Sequence, residues 1–165
     1  MATRHGTAQV TLPTDCEILI TRHFEAPVET VWRAVTEPRH VLRWWGPDWC
    51  PLVACEIDFR VGGAWRYLSL DTDGNQLGWH GTYLEIEAPT RIVATWLFEG
   101  WPDADAVESV DLRETDGVTK LTMTLAFRDK AGRDHMTRSD GQEDSFNKME
   151  DYLRSLLEQK ETVSG

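Results

Sequence analysis

The feature that most constrains this fold is a long stretch, residues 53–128, in which apolar and polar side chains alternate. A period of two residues is typical of β-strands that bury one face. Gly62-Gly63 and Asp116-Gly117 are hairpin signals within it. The pattern therefore predicts an antiparallel meander of six strands, over residues 53–59, 65–70, 79–87, 91–99, 107–115 and 118–128.

The hairpin around Asp116-Gly117 carries a specific prediction of register. With a two-residue turn at this position, Val110 lies opposite Met123 and Leu112 lies opposite Leu121. The apolar side chains of both strands then share one face.

Other patterns come before the meander. Residues 16–25 alternate and predict an opening strand, which makes seven strands in all. Apolar side chains then follow helical spacing over residues 28–35. Pro38 and Gly46-Pro47 bracket a second short helix, which is rich in tryptophan.

A long helix is predicted at the end of the chain. Apolar side chains recur at helical spacing from residue 146 to residue 157, and the pattern ends at about residue 160. Two overlapping capping boxes at Ser139-Asp140-Gly141-Gln142-Glu143 predict its start.

This order of elements predicts an α+β helix-grip fold, in which a curved seven-stranded antiparallel sheet wraps around the C-terminal helix. The two short helices lie between the first and second strands. A chain of 165 residues fits one domain. We expect residues 15–160 to form it, with residues 1–14 as a flexible leader and residues 161–165 as a flexible tail.

Composition argues against several classes of protein. The net charge is −11 and the basic residues are scattered, so we expect no binding to nucleic acid. No apolar run is long enough to span a bilayer, and the N-terminus lacks a secretory signal, so we expect no membrane association. Cys16, Cys50 and Cys55 have no disulfide spacing, which favours reduced thiols and a cytoplasmic location.

Six segments in chain order carry a resemblance to a known family: residues 26–32, 36–38, 44–47, 58–66, 81–91 and 95–96. Together they resemble the START-like (SRPBCC) superfamily, and within it the family named for the activator of the heat-shock-chaperone ATPase. The resemblance covers residues 16–157. One departure is Ser145-Phe146, where many members carry Gly-Trp at the head of the last helix.

The resemblance implies a cavity between sheet and helix, which takes apolar small molecules in some members. Other members are co-chaperones in the stress response, and the superfamily includes enzymes such as cyclases. The family shares no catalytic residue, so the resemblance does not choose between these activities.

Candidate ligand contacts combine large rings with adaptable methionines, which suit a permissive apolar pocket. Trp44 and Trp45 are expected at its mouth, although they could instead plug the open end of the sheet as core. The predicted ligand-binding residues are Trp44, Trp45, Phe59, His80, Trp96, Phe98, Met123, Phe146, Met149 and Leu153.

His80 is the polar member of this set. By strand parity it shares a face with Leu84 and Ile86, opposite Phe98 in the next strand. A histidine there could orient a ligand or act as an acid or base near neutral pH, or it could be an ordinary core or rim histidine. Another question of facing stays open, because the type of turn at Gly62-Gly63 decides whether Trp65 or Arg66 points inward.

We expect no metal and no cofactor. Cys50, Cys55 and His40 match no zinc spacing, and phosphate-binding and nucleophile-elbow motifs are absent from the sequence. No catalytic motif is visible, so the sequence favours a non-enzymatic protein.

The leading hypothesis is a binding protein, monomeric or homodimeric, that holds an apolar or aromatic small molecule, with His80 or Arg66 as the orienting contact. The first alternative is a co-chaperone that stimulates a heat-shock chaperone ATPase. The second is a cyclase- or hydrolase-type enzyme that uses the same cavity, with His80 as acid or base.

Overall fold

The computed structural model describes residues 7–46, 50–137 and 141–164. Its helices are α1 (Val28–Thr36), α2 (Pro38–Trp44), α3 (Lys130–Thr137) and α4 (Gly141–Ser164). Its strands are β1 (Gln9–Thr11), β2 (Glu17–Phe24), β3 (Leu52–Ile57), β4 (Ala64–Leu70), β5 (Gln76–Glu87), β6 (Arg91–Phe98), β7 (Ala106–Thr115) and β8 (Val118–Phe127).

The described strands form one antiparallel sheet in the order β1-β2-β8-β7-β6-β5-β4-β3. The predicted α+β helix-grip fold is confirmed, with eight strands instead of seven. The additional strand is β1, where Gln9 pairs with Thr21 of β2. All three residues of β1 are exposed, so its apolar pattern gave no signal.

The β7–β8 hairpin has the predicted register. Val110 pairs with Met123, and Leu112 pairs with Leu121. The turn residues Asp116 and Gly117 have φ values of 51° and 80°. Two successive positive φ angles match the twist of a two-residue hairpin, which explains why Asp-Gly is favoured there.

A β-bulge in β5 overturns the predicted facing of His80. Tyr83 pairs with Ala94 and Glu85 pairs with Val93, so Leu84 is an extra residue in the strand. The extra residue reverses the alternation, so the strand changes face on passing through it. His80 is therefore exposed, although Ile86 packs against the core. The prediction that these two side chains share a face was wrong.

The connection between β3 and β4 decides the facing of Trp65 and Arg66. Ile57 pairs with Trp65, and the intervening loop is wider than a two-residue turn, with Gly62 at φ +86°. Trp65 is 5% exposed and points into the core. Arg66 consequently points to solvent.

Both ends of the tandem-helix segment agree with their local chemistry. Helix α2 begins at Pro38, as predicted, because proline at the first helical position loses no intrahelical hydrogen bond. It ends at Trp44, and Gly46 follows with φ +88°. Pro47, the second half of the predicted stop signal, lies outside the described residues.

The C-terminal region differs from the prediction in two respects. Helix α3 was not predicted, because its sequence is polar and contains Gly132. Helix α4 extends to Ser164, beyond the predicted end near residue 160. The Ser139-Asp140 part of the predicted capping boxes lies outside the described residues.

A buried ion pair fixes α4 against the sheet. The Arg22 guanidinium of β2 is fully buried and donates hydrogen bonds to Asn147 Oδ1 (2.9 Å) and Glu150 Oε1 (3.2 Å). Phe146 meets Phe24 edge-on nearby, with ring centroids 6.1 Å apart. These contacts set the helix at a fixed height above the inner face of the sheet.

None of the helices in the described ranges combines the length and the apolar character that a membrane-spanning helix needs.

Candidate functional site

A cavity of about 90 Å³ lies between the inner face of the sheet and the helices. Its volume is close to that of about three water molecules in the liquid. We call it the ring-lined cavity, because half of its lining residues are aromatic. Its lining residues are Val35, Trp44, Trp45, Trp65, Tyr67, Tyr83, Ile92, Ala94, Trp96, Glu108, Val110, Leu121, Met123 and Phe146.

One small side chain in the middle of the sheet leaves this space open. Ala94 of β6 pairs with Tyr83 of β5 on one side and with Glu108 of β7 on the other. Directly paired residues point to the same face, and neighbouring strands are about 4.8 Å apart. Tyr83 and Glu108 therefore lie roughly 10 Å apart along one row, separated only by a methyl group.

Two adjacent tryptophans close the cavity on the helix side. Trp44 is 6% exposed, and its indole N–H donates to the Ala34 carbonyl oxygen at 2.8 Å. Because this donor is already engaged, Trp44 offers the cavity only its ring. Trp45 is half-buried and packs edge-on against Trp79 and Tyr67, with centroid separations of 4.7 and 5.2 Å.

Glu108 is the charged side chain of the lining. It stands in the inward series of β7 with Ala106, Val110 and Leu112. Burial raises the pKa of its carboxyl from 4.5 to about 7, and burial is the single cause of this shift. Among the described residues, no hydrogen bond or ion pair engages this carboxyl. The side chain is half-buried and lines the cavity.

Two phenol groups share the cavity with this carboxyl. Burial raises the pKa of Tyr67 well above its ordinary value and does the same for Tyr83. The negative charge of Glu108 contributes to both shifts, which places the three groups near one another. Both hydroxyls therefore stay protonated at neutral pH and can donate or accept a hydrogen bond.

The sequence of the chain matches the model of one family, described as activator of Hsp90 ATPase homolog 1-like protein, over residues 25–154. The chain belongs to this family. A comparison with curated protein sequences found no relative.

Solved structures agree with this family fold. A protein of Rhodobacter sphaeroides aligns with a TM-score of 0.84 and 22% identity, over 90% of this chain and 99% of that one. A solution structure from Arthrobacter aurescens has a TM-score of 0.79 and 24% identity, over 89% and 91% of the two chains. An AHSA1-like protein of Aeromonas hydrophila has a TM-score of 0.66 and 21% identity, over 85% and 93%. At these identities the likeness concerns the fold alone.

Within this family fold, the structure brings half of the predicted ligand-binding residues to the ring-lined cavity. These five are Trp44, Trp45, Trp96, Met123 and Phe146. Their role in binding stays a prediction. These side chains meet because they lie on the inner faces of the sheet and the helices, and the period-two and helical patterns predict those faces.

Four other predicted residues do not line the cavity and pack elsewhere in the core. Phe59 packs edge-on against Tyr83 at 5.1 Å, behind the wall. Phe98 stacks on Trp79 at 5.2 Å, and Met149 is fully buried in the core. Leu153 borders a separate depression of about 200 Å³ at the outer part of α4.

That larger depression is a weaker candidate for a site than the ring-lined cavity. Of its acidic residues, Glu150 already pairs with Arg22 at 3.2 Å and approaches Arg154 at 3.6 Å. The charge of Glu150 therefore serves the docking of α4.

His80 and Arg66 lie on the opposite face of the sheet. Arg66 makes a bidentate contact with Glu99, at 3.1 and 2.9 Å, and His80 Nδ1 lies 2.8 Å from Glu99 Oε2. The Arg66 hydrogen bonds lower the pKa of Glu99. Neither His80 nor Arg66 reaches the cavity, so the prediction that one of them orients a ligand there was wrong. The enzyme hypothesis also loses its acid or base.

Sequence reasoning missed Glu108, Tyr67 and Tyr83, and it left open the facing of Trp65, which also lines the cavity. The signal for Glu108 was present, because it has the same strand parity as Val110 and Leu112.

The residues considered for metal binding do not form a metal site. His40 contacts the hydroxyl of Tyr152 through Nδ1, and burial raises the pKa of the Cys55 thiol to about 12. Within the described ranges, no group of three or more His, Cys, Asp and Glu side chains is arranged to hold a metal ion.

Proposed function

We propose that this protein binds a small apolar or aromatic molecule in the ring-lined cavity. The observation that carries the proposal is a void of about 90 Å³ walled by the rings of four tryptophans, two tyrosines and a phenylalanine. Close-packed interiors leave few voids larger than a water molecule, so this one is unusual for an ordinary core. Polar groups at one side of an apolar pocket are the common arrangement of ligand sites.

Affinity would come mainly from apolar area removed from water, at about 25 cal/mol per Å² before entropic costs. A volume of about 90 Å³ accepts a small molecule or one end of a larger molecule. Half-buried Trp45 lies between this space and solvent, so the remainder of a longer ligand would pass beside it.

Native mass spectrometry of freshly purified protein and a thermal-shift screen of apolar and aromatic fragments test the proposal. Ala94→Leu places a larger side chain in the gap between Tyr83 and Glu108. Ala64→Leu makes the same change at an exposed position of β4 and is the matched control. We expect fragments to raise the melting temperature of wild type and Ala64→Leu, and to leave Ala94→Leu unchanged.

Two results would count against binding in this cavity. One is a screen in which no fragment shifts the melting temperature of wild type. The other is a fragment that stabilises wild type and Ala94→Leu equally, which would place its site elsewhere.

Stimulation of a chaperone ATPase is the second candidate function, and the family match over residues 25–154 is the observation that favours it. An ATPase assay with the chaperone of the same organism tests it directly. An unchanged hydrolysis rate in the presence of this protein would remove the candidate.

Three further expectations stay predictions: a cytoplasmic location, a role in the stress response, and a monomeric or homodimeric state. The fold does not depend on any of them.

A further inference from the structure

We propose, on the basis of the ligand-binding function above, that the ligand carries a positively charged amine or ammonium group, which the Glu108 carboxylate binds among the aromatic rings of the cavity.

The first argument is the cost of a half-buried carboxyl that has no partner among the described residues. Glu108 stands between Ala106 and Val110 in the inward series of β7, opposite Ala94 and Leu125 of the neighbouring strands. Removing a carboxylate from water is costly unless an opposite charge or hydrogen bonds compensate. No compensating side chain is present among the described residues, and the Glu108 side chain lines an open space. A ligand in that space can supply the missing partner.

The second argument is the chemistry of the wall. The described lining contains no lysine, arginine or histidine, so nothing there competes with a cation for Glu108. The faces of Trp44, Trp45, Trp65 and Trp96 attract positive charge through their π electrons, and tryptophan is the most effective ring for this. Aromatic rings with one carboxylate form a site for an alkylammonium group.

The titratable groups near Glu108 are neutral at pH 7, so Glu108 supplies the negative charge of the site. Tyr67 on β4, Tyr83 on β5 and Cys55 on β3 are the groups that interact with it or with one another, and burial raises the pKa of each. All three are therefore neutral at pH 7. The residues that α1, α2 and α4 contribute to the wall (Val35, Trp44 and Phe146) carry no charge.

The test compares two probes of nearly equal shape. tert-Butylammonium carries a charge that it keeps throughout the neutral range, because an alkylamine titrates near the ordinary lysine pKa of about 10. tert-Butanol is its neutral counterpart and retains a hydrogen-bonding group. Binding of each is measured by NMR titration, followed on the tryptophan indole N–H signals of wild type, Glu108→Gln and the exposed control Glu56→Gln.

We expect wild type and Glu56→Gln to bind the ammonium probe at least tenfold more tightly than the alcohol, and Glu108→Gln to lose this preference. In wild type, lowering the pH from 8 to 5.5 should weaken binding of the ammonium probe alone, because Glu108 becomes protonated. The pH titration uses wild-type protein alone, so its outcome does not depend on whether a variant folds.

Failure of the inference and failure of the proposed function give different results. Equal affinity of wild type for both probes, or a preference that survives in Glu108→Gln, overturns the cation site and leaves a neutral-ligand cavity. Absence of binding of both probes, together with a fragment screen without hits, overturns the binding function itself.

Discussion

At the scale of single residues, Glu108 makes stability depend on pH. Folding raises the pKa of its carboxyl from 4.5 to about 7, so the folded state holds a proton that the unfolded state has released between these values. The contribution of Glu108 to stability is therefore fully present below pH 4.5 and is lost as the pH rises to about 7. The shift corresponds to about 3 kcal/mol.

Glu108→Gln removes this titration and keeps the shape of the side chain. We expect the free energy of unfolding of the variant, relative to wild type, to increase by about 3 kcal/mol between pH 4.5 and pH 8. Urea denaturation at several pH values measures the difference. Glu56→Gln, at an exposed position, is the matched control. A flat profile for Glu108→Gln would mean that the carboxyl is better solvated than its position indicates.

Two residues show what strand parity can and cannot predict. Glu108 could have been found from the sequence, because Val110 and Leu112 fix the inward phase of β7. The outward facing of His80 could not be predicted, because the bulge at Leu84 reverses the alternation in β5. No residue type in the sequence marks that bulge. Parity holds only where a strand is regular.

At the scale of elements, the buried Arg22–Glu150 pair docks α4 onto the sheet. Glu150→Leu alone leaves the Arg22 charge buried without its carboxylate, and we expect it to lower the free energy of unfolding by about 3 kcal/mol. The double variant Arg22→Met/Glu150→Leu removes both charges and should recover at least about 1 kcal/mol of this loss. Urea denaturation of the single and double variants measures both.

An exposed ion pair provides the comparison. Asp58→Ala breaks the ion pair with Arg60. The Asp58 and Arg60 side chains are 53% and 71% exposed, so the change should lower the free energy of unfolding by less than about 1 kcal/mol. If the double variant is no more stable than Glu150→Leu, the pair is not the feature that docks α4.

Most elements of the fold could be predicted because their patterns are local. The β7–β8 register follows from a two-residue Asp116-Gly117 turn and two apolar faces that must agree. Strand β1 and helix α3 could not be predicted, because their stability depends on pairing and packing against distant parts of the chain. The existence of a cavity likewise depends on how side chains from five strands and three helices fit together.

At the scale of the whole molecule, the net charge of −11 attracts a cationic ligand and has no effect on a neutral one. Salt shortens the range of this attraction, from about 30 Å at 0.01 M to about 10 Å at 0.1 M. We therefore expect affinity for tert-butylammonium to fall several-fold between these concentrations, with affinity for tert-butanol unchanged. The same NMR titration measures both, and an equal salt effect on the two probes would contradict the prediction.

The central position of Ala94 has a consequence for how this family can diverge. The side chain there sits at the floor of the cavity, between the phenol of Tyr83 and the carboxyl of Glu108, and it is not part of either polar group. Under the proposed binding function, a change from alanine to a larger residue would shrink the ligand that fits and leave the Tyr83 and Glu108 side chains in place. Ligand size and ligand charge would then depend on different residues, so a substitution could change one preference and keep the other.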